Sequence, residues 1–227
     1  MGRNSGLITI LHTSFVAVDD LTALFNEVAP DVSLRHIVDD SLLDEVLSEG
    51  GVTPGVQKRL ASYLGAAEEL GSDVIFSQCS SVGEAVDVAA ADIAVPVVRI
   101  DSRMAELACE AGAQIGVVAT LGTTLEPTSE LIEKTARARS QSISIDCVLV
   151  EGAFEALRAG DRAEHNGLVL DAVRSLAERV DVVVCAQGSM AAIVSELGDT
   201  AVPVLTSPRL GVSHAVEVLR DRMKEKA

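Results

Sequence analysis

The chain has 227 residues, 48% of them apolar, and a formal net charge of −16. That length and apolar share suit one large domain or two small lobes with real cores, and they exclude a disordered chain. The acidic balance, with one Tyr, no Trp and four Phe, offers neither a basic footprint nor a stacking platform, so no nucleic-acid partner is expected.

In chain order, LITILH (7–12) reads as a strand. The segment after it puts Val18, Leu21, Leu24, Phe25 and Val28 on one helical face, with Asp19 and Asp20 suited to its first turn. VSLRHIV (32–38) is a strand candidate, and residues 41–48 and 54–70 read as helices. DVIFSQ (73–78), a helix over 80–91, VPVVRI (95–100) and a helix over 102–111 follow. The order then starts again with QIGVVAT (114–120) and a helix after TTLEPT, where Pro127 suits a first turn. ISIDCVLV (143–150), helices at 151–158 and 162–179, DVVVCAQ (181–187), a helix over 189–197, AVPVLT (201–206) and a helix over 209–224 complete the series. Strands alternating with helices predict an α/β fold with mainly parallel sheets.

Three landmarks repeat at nearly one offset. Asp73 and Asp181 are 108 residues apart, Cys79 and Cys185 are 106 apart, and Pro96 and Pro203 are 107 apart. Two pseudo-symmetric lobes are therefore expected, each a parallel sheet flanked by helices: residues 1–98 plus 208–227, and residues 99–207. No Gly/Ser linker separates them, so close packing is expected. On this reading Cys79 and Cys185 take equivalent places, each at the carboxyl end of a parallel strand and just before a helix. Ligands of open α/β sheets bind at that edge. Lobes related by a pseudo-two-fold axis would present one thiol each from opposite sides of a cleft.

Two opposed thiols fit inversion at carbon without a cofactor, because one group removes a proton from one face and the other returns one to the opposite face. A thiol near a helix N-terminus is expected to have a lowered pKa, leaving one of the pair as thiolate. The runs CSSVG and CAQGSM add hydroxyls, small side chains and backbone N–H groups suited to a carboxylate. ATLGTT (119–124) and HTS (12–14) end the first strand of each lobe, and His12 is a candidate for substrate recognition. A clamped carboxylate also takes up charge as the α-proton leaves.

These motifs, CSS at 79–81, IGVVATLGTT at 115–124, CAQGSM at 185–190 and the two VPV strands, resemble the aspartate/glutamate (hydantoin) racemase superfamily over nearly the whole chain. That group includes hydantoin and allantoin racemases, maleate isomerases and arylmalonate decarboxylases. The resemblance implies a two-lobe α/β fold with its site between the lobes, no metal or pyridoxal phosphate, and a homodimer or higher homo-oligomer. It implies Cys79 and Cys185 as the catalytic pair. It assigns Ser80, Ser81, Thr120, Thr123, Thr124, Gln187, Gly188 and Ser189 to the substrate carboxylate. The chain departs from the amino-acid racemases of the group. HTSF stands where they carry an Asp-Ser-Gly-type motif, Ser-Ser follows the first cysteine instead of Asn-Thr, and Ala-Gln follows the second instead of Thr-His. These departures weigh against aspartate and glutamate.

The expected function is racemisation or epimerisation beside a carboxylate or related carbonyl, on a small carboxylate or hydantoin-like substrate. Its rivals are a maleate-type cis–trans isomerase working through a covalent cysteine adduct, and a non-catalytic small-molecule binding protein. Cys109 and Cys147 read as core, and His36, His165 and His214 as strand or surface residues. Asp101 reads as a helix cap. The cysteines form no Cys-x-x-Cys pair and the histidines show no metal-ligand spacing, so free thiols in a reducing compartment are expected. No apolar run has bilayer-spanning length, and the hydrophobic stretch of MGRNSGLITIL is too short for a signal peptide; a cytoplasmic protein without a membrane partner is expected.

Overall fold

The computed structural model describes residues 6–194 and 196–226. Met1–Ser5, Ser195 within the predicted helix 189–197, and Ala227 lie outside the described residues. The expected α/β class is observed: two four-stranded sheets, every recorded pairing parallel. The chain divides into two compact units, one reaching to Ile100 and resuming at Arg209, the other spanning Asp101–Pro208.

In the first unit the elements are β1 (Leu7–His12), α1 (Val16–Val28), β2 (Ser33–Val38), α2 (Ser41–Glu49), α3 (Pro54–Glu69), β3 (Val74–Ser77), α4 (Gly83–Ala90) and β4 (Val97–Arg99). The sheet order is β2-β1-β3-β4. Central β1 and β3 are apolar on both faces because helices cover both. Ile8, Ile10, Val74 and Phe76 pack against Leu21 and Phe25 of α1, while Leu11 and Ile75 pack against Leu60 and Leu64 of α3. Helix α3 starts sharply, since Thr53 accepts the Val56 N–H at 3.1 Å and Pro54 opens the first turn.

The second unit holds α5 (Ser102–Ala111), β5 (Gln114–Ala119), α6 (Gly122–Ala138), β6 (Ser144–Leu149), α7 (Ala153–Arg158), α8 (Arg162–Ala177), β7 (Val182–Cys185), α9 (Ala191–Val194) and β8 (Val204–Thr206). Its order, β6-β5-β7-β8, repeats that of the first. Helix α8 lies so close to β5 that a side chain at Gly116 would collide with Leu176. The last helix, α10 (Ser207–Glu225), sends Val212, Ala215, Val216 and Leu219 into the core of the first unit.

Several predicted boundaries are corrected. The helices expected from 80 and 189 begin as 3₁₀ turns, Ser80–Val82 and Gly188–Met190, and become α-helical only at Gly83 and Ala191. Helix α6 starts at Gly122, so Pro127 lies inside it rather than in its first turn. The strands β4 and β8 begin after their prolines. A proline has no N–H to give, yet its carbonyl still accepts: Pro96 receives the Ile75 N–H and Pro203 the Val183 N–H, both at 2.9 Å.

Phe25 and Phe76 meet edge to face with ring centroids 5.4 Å apart, both nearly inaccessible. Truncating Phe25 to Ala empties the middle of this layer. We expect Phe25→Ala to lower unfolding free energy by about 3–5 kcal/mol, read as a shifted urea midpoint by circular dichroism.

Candidate active site

Each sheet delivers its chemistry at the carboxyl edge of its central strands. In the first unit, β1 ends in His12 and continues into Thr13, while β3 continues through Gln78 into Cys79. The two tails stay paired one step past the strand, because Gln78 N–H donates to Leu11 O at 3.1 Å. Cys79 caps the 3₁₀ turn in an extended conformation (φ −117°, ψ 119°), and Ser80 and Ser81 are buried within that turn.

Cys79 is half-buried. Burial pushes its thiol pKa up, opposed by four groups around the sulfur: the Thr13 hydroxyl, the backbone and hydroxyl of Ser81, and the backbone of Val82. The Thr13 hydroxyl is 1% exposed and has no hydrogen-bond partner among the described residues, while its nearness lowers the Cys79 pKa. Below the turn, the buried Arg99 guanidinium lies against Gly83 so closely that any side chain there would collide with it, and it pairs with Asp87 at 3.2 Å.

The second unit assembles Thr120, Thr123, Thr124, Gln187, Gly188 and Ser189 around the ends of β5 and β7. Thr120 donates both its backbone N–H (2.6 Å) and its hydroxyl (3.0 Å) to Gln187 Oε1. A backbone N–H only donates, so the amide oxygen must face it and the Gln187 NH₂ turns away. Thr124 is buried in the first turn of α6, and Thr123 Oγ1 has no partner among the described residues. Gly188 and Ser189 are exposed.

Cys185 differs from the expectation of an edge thiol like Cys79. It is the last residue of β7 rather than a residue beyond it. It is 1% exposed and packed among Val118, Val173, Val183 and Ile193. Burial alone pushes its pKa up to about 12. The expected lowering of the cysteine pKa values is overturned for both residues: desolvation of the thiolate outweighs the lowering groups at Cys79 and acts alone at Cys185.

Other expectations are revised as well. Cys109 is buried in α5, but Cys147 is exposed, since β6 is an edge strand; its sulfur lies 3.3 Å from Ser129 Oγ. His165 is a buried α8 residue bonded through Nδ1 to Ala153 O at 2.9 Å, not a strand or surface residue. Asp101 is the N-cap residue of α5, as expected, fully buried and without a side-chain capping hydrogen bond. A cavity of about 540 Å³ beside α6 and β6, lined by Leu125, Glu126, Ser129 and Cys147 among others, contains none of the predicted site residues. Among the described residues, no group of three His, Cys, Asp or Glu side chains is placed to hold a metal, and no helix is long and apolar enough to cross a membrane.

Sequence reasoning missed His36. Its Nδ1 lies 3.0 Å from His12 Nε2 and the two rings stack at 5.2 Å. Their spacing hides the contact: Ile10 pairs with His36 across β1 and β2, so the two histidines share a sheet face one pleat apart. Thr13 was also missed, although its place right after the strand was a usable signal.

The sequence profile of the Asp/Glu/Hydantoin racemase family matches residues 7–215. No curated protein matches the chain by sequence. Among solved structures, a putative Asp/Glu racemase from Yersinia pestis superposes with a TM-score of 0.71 at 14% identity, over 95% of this chain and 99% of its own. A glutamate racemase isoform from Bacillus anthracis gives 0.71 at 15%, over 97% and 84%. The allantoin racemase from Klebsiella pneumoniae gives 0.66 at 18%, over 97% and 89%. At such identities these likenesses speak for the fold alone.

The His12–His36 pair makes the site acid-sensitive. Burial, with the nearby His36 charge, lowers the His12 pKa from 6.5 to about 4, and burial lowers that of His36 as well. The unfolded chain therefore takes up protons that the folded chain refuses, so the contribution is intact above pH 6.5 and is lost as pH falls toward 4. Because His12 is inaccessible, the full loss is about 3 kcal/mol, and about 2 kcal/mol by pH 5. Urea midpoints across this range should fall for the native chain and fall less for His12→Gln; equal slopes would refute the assignment.

The match over nearly the whole chain, joined to two racemase-type sheets with their polar edges, establishes that this chain belongs to the Asp/Glu/hydantoin racemase family and that the protein is an isomerase.

Proposed function

We propose that this isomerase is a cofactor-independent racemase or epimerase acting at a carbon next to a carboxylate or related carbonyl, with Cys79 as its proton-transfer thiol. The observation that carries the reading is the place of Cys79, at the cap of the 3₁₀ turn just past β3, where Ser81 and Val82 lower its pKa against burial. Burial alone would keep that thiol neutral; donors directed at it recover part of the lost solvation and favour thiolate. A thiolate is a base for an acidified C–H, and it needs no metal to act on one.

In the second unit the hydroxyls of Thr120, Thr123 and Thr124 and the amides of Gly188 and Ser189, like Ser80 in the first unit, are suited to a substrate carboxylate or the equivalent carbonyl. Helix α6 supports this role, since Gly122 and Thr123 open its first turn and Thr123 Oγ1 has no partner among the described residues. As the α-proton leaves, negative charge moves onto the oxygens that these donors hold, so the clamp strengthens toward the transition state. His12 would contribute a neutral imidazole. Its pKa of about 4 keeps it uncharged at physiological pH.

No carboxylate is among the groups acting on the Cys79 sulfur or on His12. A site of neutral donors suits a hydantoin-like ring or a small carboxylate better than an amino acid, whose ammonium group would ask for an anion. The solved relatives include racemases named for glutamate and for allantoin, so both chemistries belong in the test.

The experiment is deuterium incorporation at the α-carbon across amino acids, 5-substituted hydantoins and hydroxy acids, with optical rotation followed in parallel. We expect exchange and loss of rotation for at least one member of the panel. Cys79→Ser should then slow both by about 10²–10⁴-fold. Full activity in that variant, or a wild-type protein that exchanges nothing, overturns the proposal.

A further inference from the structure

Hydrogen bonding gives each residue of the first sheet a counterpart in the second. Leu11 pairs with Ser77 in the first unit, and Val118 pairs with Cys185 in the second. One step on, Gln78 N–H donates to Leu11 O at 3.1 Å, and Ala186 N–H donates to Val118 O at 2.9 Å. The residues that follow are Cys79 and Gln187. Each caps a three-residue 3₁₀ turn from an extended conformation, φ −117° and ψ 119° for Cys79, φ −125° and ψ 142° for Gln187. Each turn ends in a fully buried apolar residue, Val82 or Met190, and each leads into a helix.

The neighbour repeats too. Thr13 and Thr120 directly follow β1 and β5. The Thr13 hydroxyl acts on the Cys79 sulfur, and the Thr120 hydroxyl donates to Gln187 Oε1 at 3.0 Å. The frame that serves a thiol in one unit serves an amide in the other. Cys185, two residues earlier, is the counterpart of Ser77, and both are 1% exposed.

Resting on the racemase reading above, we propose that the enzyme works with one thiol, Cys79, that Gln187 occupies the second unit's corresponding place as a substrate-binding amide, and that Cys185 is a core residue. An amide neither takes nor gives a proton near neutral pH, so the second proton of the cycle is exchanged with water. The Cys79 thiolate takes the α-proton, and the electron pair of the broken C–H bond passes into the enolate. Return of that proton from Cys79 restores the starting enantiomer. Protonation by water on the other face gives the inverted product and hydroxide, which removes the proton from the Cys79 thiol. Thiolate and water are then restored.

A two-thiol enzyme needs one group ionised and one protonated, so its kcat/KM traces a bell against pH. The one-thiol cycle rises through a single ionisation and then levels, in both directions. We expect that profile for the wild type, and Cys185→Ala should stay within about threefold of it. Gln187→Ala should raise KM about tenfold or more while keeping the profile's shape. A bell-shaped profile overturns the proposal, as does a loss of about 10²-fold in a folded Cys185→Ala, or unchanged kinetics in Gln187→Ala. Iodoacetamide labelling of the native chain, read by peptide mass spectrometry, decides the thiol question without any substrate. Cys79 and Cys147 should react and Cys185 only in urea; Cys185 reacting as fast as Cys79 overturns the proposal. A protein that racemises nothing yet shields Cys185 would sink the racemase reading while leaving this assignment of the thiols in place.

Discussion

The parallel pairing of β1 with β3, and of β5 with β7, is the constraint from which the site follows. Both central pairs are buried on both faces, where an unpaired backbone N–H or carbonyl carries a desolvation penalty of about 1–3 kcal/mol. Register is therefore not free to slip, and it dictates which residue is the last to be held and which is the first to leave the sheet. The prolines before β4 and β8 obey the same accounting: they have no N–H to give, and their carbonyls accept from Ile75 and Val183. Cys79, Thr13, Thr120 and Gln187 all lie within two residues of the ends of the central strands.

Electrostatics then separates residues that composition treats alike. Cys79 and Cys185 are both desolvated, but only Cys79 has hydroxyls and amides acting on its sulfur. Desolvation penalises the charged form of either thiol, and donors aimed at the sulfur are what offset it. The same reasoning covers His12, which is kept neutral by burial and tied to a partly solvated partner on the edge strand β2. On the proposed reading, a neutral imidazole, hydroxyls and backbone amides would supply donors to negative charge developing on a bound acid.

Much of the fold was legible, because alternating apolar runs and 3.6-residue periodicity are local signals that parallel α/β packing reinforces. The 3₁₀ turns at Ser80 and Gly188 were not, since three residues give no period by which to tell a tight turn from the first turn of an α-helix. Cys147 was misjudged because an apolar strand looks the same in the middle of a sheet and at its rim; strand order decides, and order is not written in the strand itself. The strand-end location of the candidate residues was legible. Their pairing was misread because cysteine was matched to cysteine by chemical identity, whereas the backbone matches Cys79 to Gln187.

The two-residue discrepancy is small in sequence and large in space. Side chains two apart along a strand point to the same face, so the shift does not turn Cys185 away from the side that Gln187 occupies. It moves the sulfur about 6–7 Å back along the strand, from the polar rim into the layer of Val118 and Ile193. Proton transfer requires heavy atoms about 3 Å apart, so a displacement of that size removes a group from the chemistry as surely as deleting it. A duplicated fold can thus hold its frame, strand, turn and threonine alike, and still carry a thiol in one unit and an amide in the other.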